Sequence, residues 1–395
     1  MKMILSVSVL SLFLACTKDE HFEPEFYSCN NAQQEESATN PNHQKYQNLL
    51  NEIIRSGVPG IMLTISDTVH STWSGASGKA DIANNIDLLP CHITRVGSTI
   101  KTFTAVTILL LQEENKLDLD DKITVYLSSE YLADIENASN STIRQLLQHS
   151  SGIYNYIVNL KFQTASINDL TKVWQPEELL SYARNKKANF APGTDVMYSN
   201  TNYILLGKII EEIEQKPFYE VFEERIFKVY NLNSTSCAAK DPVPDGIIRG
   251  YVDFYSNMNL INATYYSGWD YYTADGGLIS NAYDLGNFMN ELFAGNILSH
   301  ESLNEMMNWQ TPIGQTSDYY NTHYGLGIFR METPYGEAYM HSGDAIGYYA
   351  VMFYFPRQKT SISWAVNGNY GKIDNFTQTP EAMDKIFECV FGSRL

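Results

Sequence analysis

The sequence predicts a mixed α/β fold: one antiparallel sheet built from both chain ends, flanked by helices, with a mainly helical lobe inserted between its halves. Three observations carry this reading. Strand-like runs cluster near the two ends, over 60–80 and 324–367, while the region from about 89 to 303 reads as mostly helical. The chain has 395 residues, 44% hydrophobic and 18% charged, an ordinary globular composition. That length suits one large unit or two subdomains, and a cleft between two lobes is where a site is expected.

The elements follow in order. Met1-Lys2 and the apolar run Met3 to Ala15 read as an export signal, too short to span a bilayer comfortably. The run ends Leu12-Phe13-Leu14-Ala15-Cys16, and a small residue before Cys resembles a bacterial lipoprotein signal. Cys16 is therefore the expected lipidation site, anchoring an exported protein to a membrane of the cell envelope; plain secretion is the alternative. Residues 16–43 are polar and Asn/Gln-rich and read as a flexible tether, so that 1–15 is the signal and 44–395 the folded domain. Gln44 to Ser56 places Tyr46, Leu49, Leu50, Ile53 and Ile54 on one helical face, closed by Gly57 and Pro59. Strands are predicted over 60–69, 70–80, 324–331, 337–341, 348–355 and 360–367, and a last helix over 380–391.

Composition excludes some functions. The net charge of −18 repels phosphate backbones, so nucleic acid is not an expected partner. Besides Cys16 there are Cys29, Cys91, Cys237 and Cys389, too scattered to define a disulfide framework and read as buried or free thiols. Neither a Cys/His cluster nor a nucleotide-binding glycine loop is present, and no metal or cofactor is expected.

The chemistry centres on Val96-Gly97-Ser98-Thr99-Ile100-Lys101, which opens the apolar, helix-compatible run 102–112. At a helix start the free N–H groups and the macrodipole favour developing negative charge. Lys101, three residues on, faces the same side one turn away. A serine hydroxyl needs a neighbouring base, and a lysine serves only if its ammonium is disfavoured by burial or nearby positive charge. Alone, Ser-x-x-Lys equally describes a helix-capping serine before a surface lysine. Here the motif occurs once, and an exposed Lys101 would be out of place among Ile100, Phe103, Ala105 and Val106.

Two further motifs follow in order. Tyr198-Ser199-Asn200 sits between Phe190-Ala191-Pro192-Gly193 and Tyr203-Ile204-Leu205-Leu206-Gly207, and His341-Ser342-Gly343 precedes an apolar strand. The same short patterns recur at Tyr46, Tyr255, Tyr319 and His323 without those surroundings. With Leu146 to Gly152 and Asp275 to Ser280, the set resembles the serine β-lactamases and penicillin-binding enzymes, in the class C β-lactamase, DD-peptidase and esterase branch. The resemblance runs from about Leu49 to Asn367 and implies a β-lactamase/transpeptidase-like fold.

It further implies an acyl-serine hydrolase with Ser98 as nucleophile and Lys101 and Tyr198 sharing the proton. Which of the two takes it stays open. Asn200 is implied to bond Lys101 and a substrate amide. Backbone N–H groups of Ser98 and Asp344, beside Gly343, are implied to hold the oxyanion. His149 is implied to be structural. β-Lactamases of this branch usually carry Lys where this chain has His341, which points toward DD-peptidase, carboxypeptidase or esterase relatives acting on small peptides, amides or esters. Arg330 on the adjacent strand is a candidate for reaching a substrate carboxylate, against a plain surface charge. The alternatives are a true β-lactamase, a ligand-sensing lipoprotein without turnover, and glycan binding by the Tyr-rich segment 265–272, which reads more simply as a site wall.

Overall fold

The computed structural model describes residues 27, 29, 36–266, 268–316 and 318–394. The export signal, Cys16 and most of the predicted tether lie outside them.

Helix α1 (His43–Arg55) buries Tyr46, Leu49, Leu50 and Ile53 on one face, as their spacing requires. Strands β1 (Gly60–Ser66), β2 (Trp73–Asp81) and β3 (Ile86–Asp87) form one half of the main sheet. Strands β4 (Thr322–Tyr324), β5 (Phe329–Thr333), β6 (Gly336–Ala345), β7 (Tyr348–Phe355) and β8 (Thr360–Val366) form the other. The order is β3-β2-β1-β8-β7-β6-β5-β4, with every neighbour antiparallel. First and last strands meet at the centre, Ile61 opposite Val366 through Ser66 opposite Ser361.

The sheet is covered on both faces, so its central strands are buried on both. Alternation sorts the side chains. Ile61, Leu63, Ile362 and Trp364 point to the layer of α1 and α6 (Pro380–Phe391). Met62, Ala350, Met352 and Ala365 point to the other core, which α5 (Ala282–Phe293) closes. That second core continues into the inserted region. There α2 (Ile100–Glu113) is buried nearly all round, and Phe103 stacks on Phe288 of α5 at 3.8 Å. Between them in sequence come α3 (Leu160–Asn168) and α4 (Asn200–Glu214), the latter packed against α2. Part of the insertion, α5, is thus a covering layer of the sheet and not a separate lobe.

Three expectations change. The strand predicted over 324–331 is two strands, because Gly327 adopts φ +69° and a Cβ there would lie 2.3 Å from Ala105 Cβ. The break lets Thr102 Oγ1 donate to the Gly327 carbonyl at 2.8 Å, which ties the sheet edge to α2. The end of the predicted tether is packed: Ser37 and Asn40 are buried, and Asn40 Nδ2 donates to the Ser71 carbonyl at 2.8 Å. Cys29 and Cys91 form a disulfide with Cα atoms 5.9 Å apart, whereas Cys237 and Cys389 are free. Among the described residues no helix is long and apolar enough to cross a membrane.

Candidate active site

Ser98 lies in a single 3₁₀ turn, Gly97–Thr99, that runs directly into α2. Gly97 makes the turn possible with φ +50°. One helical turn on, the Lys101 amine donates to Ser98 Oγ at 2.8 Å and to the backbone carbonyl of Asp275. Lys101 is wholly buried. Burial lowers its pKa to about 8, against the opposing pull of the Asp275 and Asp270 carboxyls. Its nitrogen sits 5.0 Å from the centre of the Tyr198 ring and 5.6 Å from that of Tyr203.

Tyr198 ends the segment leading into α4. Burial raises its phenol well above the ordinary tyrosine range, while a hydrogen bond with Ser98 acts the other way. The His149 ring packs against it, centroids 4.4 Å apart, and His149 Nδ1 accepts the Ser199 N–H at 3.1 Å. Burial, then the nearby Lys101 ammonium, holds His149 neutral, behind the phenol. The look-alike motifs lie elsewhere: Tyr46 is under the sheet, and Tyr255 and Tyr319 are exposed.

Two close backbone approaches join β6 to the serine turn. A Cβ on Gly343 would stand 2.0 Å from the Val96 carbonyl oxygen and 2.6 Å from the Ser98 nitrogen. One on Gly97 would stand 2.6 Å from the Asp344 carbonyl oxygen. Glycine is required at both positions because main chain meets main chain. Asp344, with an exposed side chain, and His341 both line the cavity beside Ser98. His341 Nδ1 donates to its neighbour's carbonyl on Ser342 at 2.7 Å. Burial, with Lys101 nearby, lowers its pKa to about 3, so the imidazole is neutral and Nε2 faces inward without a protein partner.

Two implied roles differ. Asn200 does not bond Lys101: its backbone N–H and its Nδ2 both donate to Asn155 Oδ1, at 3.2 and 3.4 Å. Arg330 does not reach the cavity. It pairs with Glu337 at 3.4 Å and Glu332 at 3.9 Å, because Phe329 faces the site and adjacent strand residues point to opposite faces.

Sequence reasoning missed two carboxyls. Asp270 and Asp275 line the cavity of about 420 Å³ with Ser98, and Tyr156 Oη donates to Asp275 Oδ2 at 3.1 Å. Burial raises both, Asp270 to about 8, with Arg95 pulling it back. The Asp-Gly-Gly stretch could have flagged Asp275, since Gly276 has room for no Cβ beside Asp270, 2.6 Å away. The Tyr-rich segment is indeed a wall of the site, through Trp269 and Asp270. No cluster of His, Cys, Asp and Glu that could hold a metal occurs among the described residues. The arrangement can deliver a hydroxyl, relieve it of its proton, and present backbone N–H groups to a developing oxyanion.

Comparison with known proteins agrees with this picture. The family described as Beta-lactamase matches residues 42–382. The human mitochondrial serine beta-lactamase-like protein LACTB is 25% identical over 76% of this chain and 70% of its own length. A penicillin-binding protein of Bacillus subtilis is 28% identical over 72% of this chain and 63% of its own. Among solved structures, a D-stereospecific amidohydrolase from Streptomyces superposes with a TM-score of 0.76 at 27% identity, covering 89% of this chain and 99% of that one. The D-amino acid amidase of Ochrobactrum anthropi, complexed with L-phenylalanine, gives 0.77 at 25% identity over 88% and 98%.

Proposed function

Because the chain belongs to the Beta-lactamase family, we propose that it is a serine hydrolase that cleaves amides or esters through an acyl-enzyme at Ser98, as an amidase or peptidase. One observation carries the proposal: a buried amine with its pKa drawn down to about 8 stands 2.8 Å from the serine hydroxyl.

Lys101 is the better base of the two candidates. At pH 7 an amine with that pKa is neutral in about one molecule in ten, whereas the Tyr198 phenol, raised by burial, keeps its proton. Lys101 Nζ takes the proton as Ser98 Oγ bonds to the carbonyl carbon. The oxyanion that forms accepts from the Ser98 and Asp344 N–H groups, which the contacts at Gly343 and Gly97 hold side by side. When the tetrahedral intermediate collapses, the carbon–nitrogen or carbon–oxygen bond breaks. The proton passes from Lys101 to the leaving group, with Tyr198 hydrogen-bonded to the same serine oxygen as relay. Water then attacks the acyl carbon as Lys101 takes its proton, and collapse breaks the acyl–Oγ bond, releasing the acid while Lys101 returns the proton to Ser98 Oγ.

The walls favour neutral substrates over carboxylates. Among the described residues the cavity offers carboxyls at Asp270, Asp275 and Asp344, a neutral His341, and no cation besides the engaged Lys101. A β-lactam or a C-terminal carboxylate would find no charged partner among the residues described there, which places amides and esters ahead of carboxypeptidase and β-lactamase substrates. One related amidase has been solved with L-phenylalanine amide, an amide that carries no carboxylate. The protein is further proposed to be exported and anchored through Cys16. The Cys29–Cys91 disulfide supports an oxidising compartment. Radiolabelled palmitate incorporated by the full chain and lost on Cys16→Ser is the expected result; equal labelling of the variant removes the anchor.

The test of the activity is labelling by a fluorophosphonate, followed by turnover of amino acid amides, D-Ala-D-Ala peptides and nitrocefin. Ser98→Ala abolishes labelling, and amides exceed nitrocefin in kcat/KM. Labelling that survives Ser98→Ala sinks the proposal.

A further inference from the structure

An apolar groove opens from the active-site cavity, and nothing in the catalytic scheme uses it. It encloses about 550 Å³ and shares Ile157, Trp269 and Tyr370 with the cavity that holds Ser98. Beyond that seam, Ile167 and Leu170 at the end of α3 and Phe254 from the opposite loop form its sides. Among the described residues no charged side chain lines it; its polar groups are the tyrosine hydroxyls, the Trp269 indole N–H, Gln163 and Ser166. Ile167 is 71% exposed and Phe254 41%, an unusual outlay of apolar surface beside a site built of carboxyls and hydroxyls.

Continuity with the catalytic cavity identifies the occupant. A molecule with its carbonyl at Ser98 has two arms. The arm that leaves must meet the proton relay, and Tyr198 packs with Phe329 and His341, at 6.2 and 6.4 Å between ring centres. The arm that stays on the serine runs the other way, past Asp344 along the end of β6. Ile346, the residue just beyond that strand, lines the groove. We propose that the groove is the acyl-side subsite and takes an uncharged aliphatic or aromatic acyl arm several carbons long. This rests on the reading of Ser98 as nucleophile.

The experiment uses the full chain and p-nitrophenyl esters from acetate to decanoate, which vary the acyl arm alone. Each methylene that the groove buries raises kcat/KM by up to about fourfold, so octanoate exceeds acetate by more than 10-fold. Ile167→Asp and Phe254→Ser, both at exposed positions, each lower the octanoate-to-acetate ratio at least fivefold. A flat chain-length profile in an enzyme that turns over acetate overturns the inference and spares the hydrolase. So does an unchanged ratio in both variants; if those variants instead lose binding to lipid vesicles, the groove is a membrane-facing surface. Absence of both ester turnover and fluorophosphonate labelling of Ser98 removes the hydrolase reading, and the subsite falls with it.

Discussion

Replacing Gly343 by alanine tests the geometry on which the proposed catalysis depends. The added Cβ would stand 2.0 Å from the Val96 carbonyl oxygen, where an ordinary contact begins at 3.4 Å. Backbones must therefore part by more than about 1 Å, a shift of the size that costs roughly 10²-fold in rate. The parting falls between Ser98 and Asp344, the two proposed oxyanion donors, and losing one donor costs about 10²–10³ in kcat. Strand β6 cannot retreat freely, because Gly343 is also registered with Ala350 of β7. Overpacking of this kind costs about 1–3 kcal/mol of stability, which leaves a folded protein. The assay pairs kcat on a short ester with the rate of fluorophosphonate labelling and a circular-dichroism melt. The expected result is a folded variant with kcat down at least 100-fold. A variant with kcat within threefold of the parent would refute the claim that these two segments form the oxyanion site.

Other outcomes follow from the same structure. If Lys101 acts as a neutral base, kcat/KM rises about tenfold per unit of pH and levels near pH 8, since the active form is the deprotonated one. Asp270→Asn removes a carboxyl that favours the ammonium, so the midpoint moves to lower pH; an upward move contradicts the assignment. Arg330→Ala, which strips a side chain already paired with glutamates outside the cavity, leaves kcat/KM for amides within twofold, and a tenfold loss restores its substrate role. Cys29→Ser opens a link between residues 62 apart in sequence. Chain entropy alone puts its loss at roughly 4 kcal/mol. Urea unfolding checks this, and an unmoved midpoint shows the link is idle.

The sheet was legible because its signals are local. Alternating apolar residues at both ends, with helical spacing between, specify strands and helices without knowledge of contacts. The candidate trio of Ser98, Lys101 and Tyr198 was legible because each member sits in a recognisable segment, and flanking residues separated Tyr198 from its look-alikes. Features made only by tertiary contact stayed hidden. Asp270 and Asp275 act on Lys101 across more than 160 residues, and no spacing announces that. Cysteine positions alone do not reveal that Cys29 pairs with Cys91. Arg330 was legible in principle: if Phe329 faces the site, its strand neighbour faces away. The uninterrupted strand over 324–331 failed because a positive φ at Gly327 answers to the packing of α2, not to local sequence.

The pairing of Ile61 with Val366 has a consequence for biogenesis. A ribosome delivers Ser98 and Lys101 first, and the strand bearing Gly343 and Asp344 follows more than 200 residues later. Until then the hydroxyl has nowhere to lodge a negative oxygen, and contacts that span three hundred residues form slowly. On the proposed mechanism, the nascent polypeptide is thereby inert toward esters and amides. Hydrolytic competence becomes a report that the whole chain has closed upon itself.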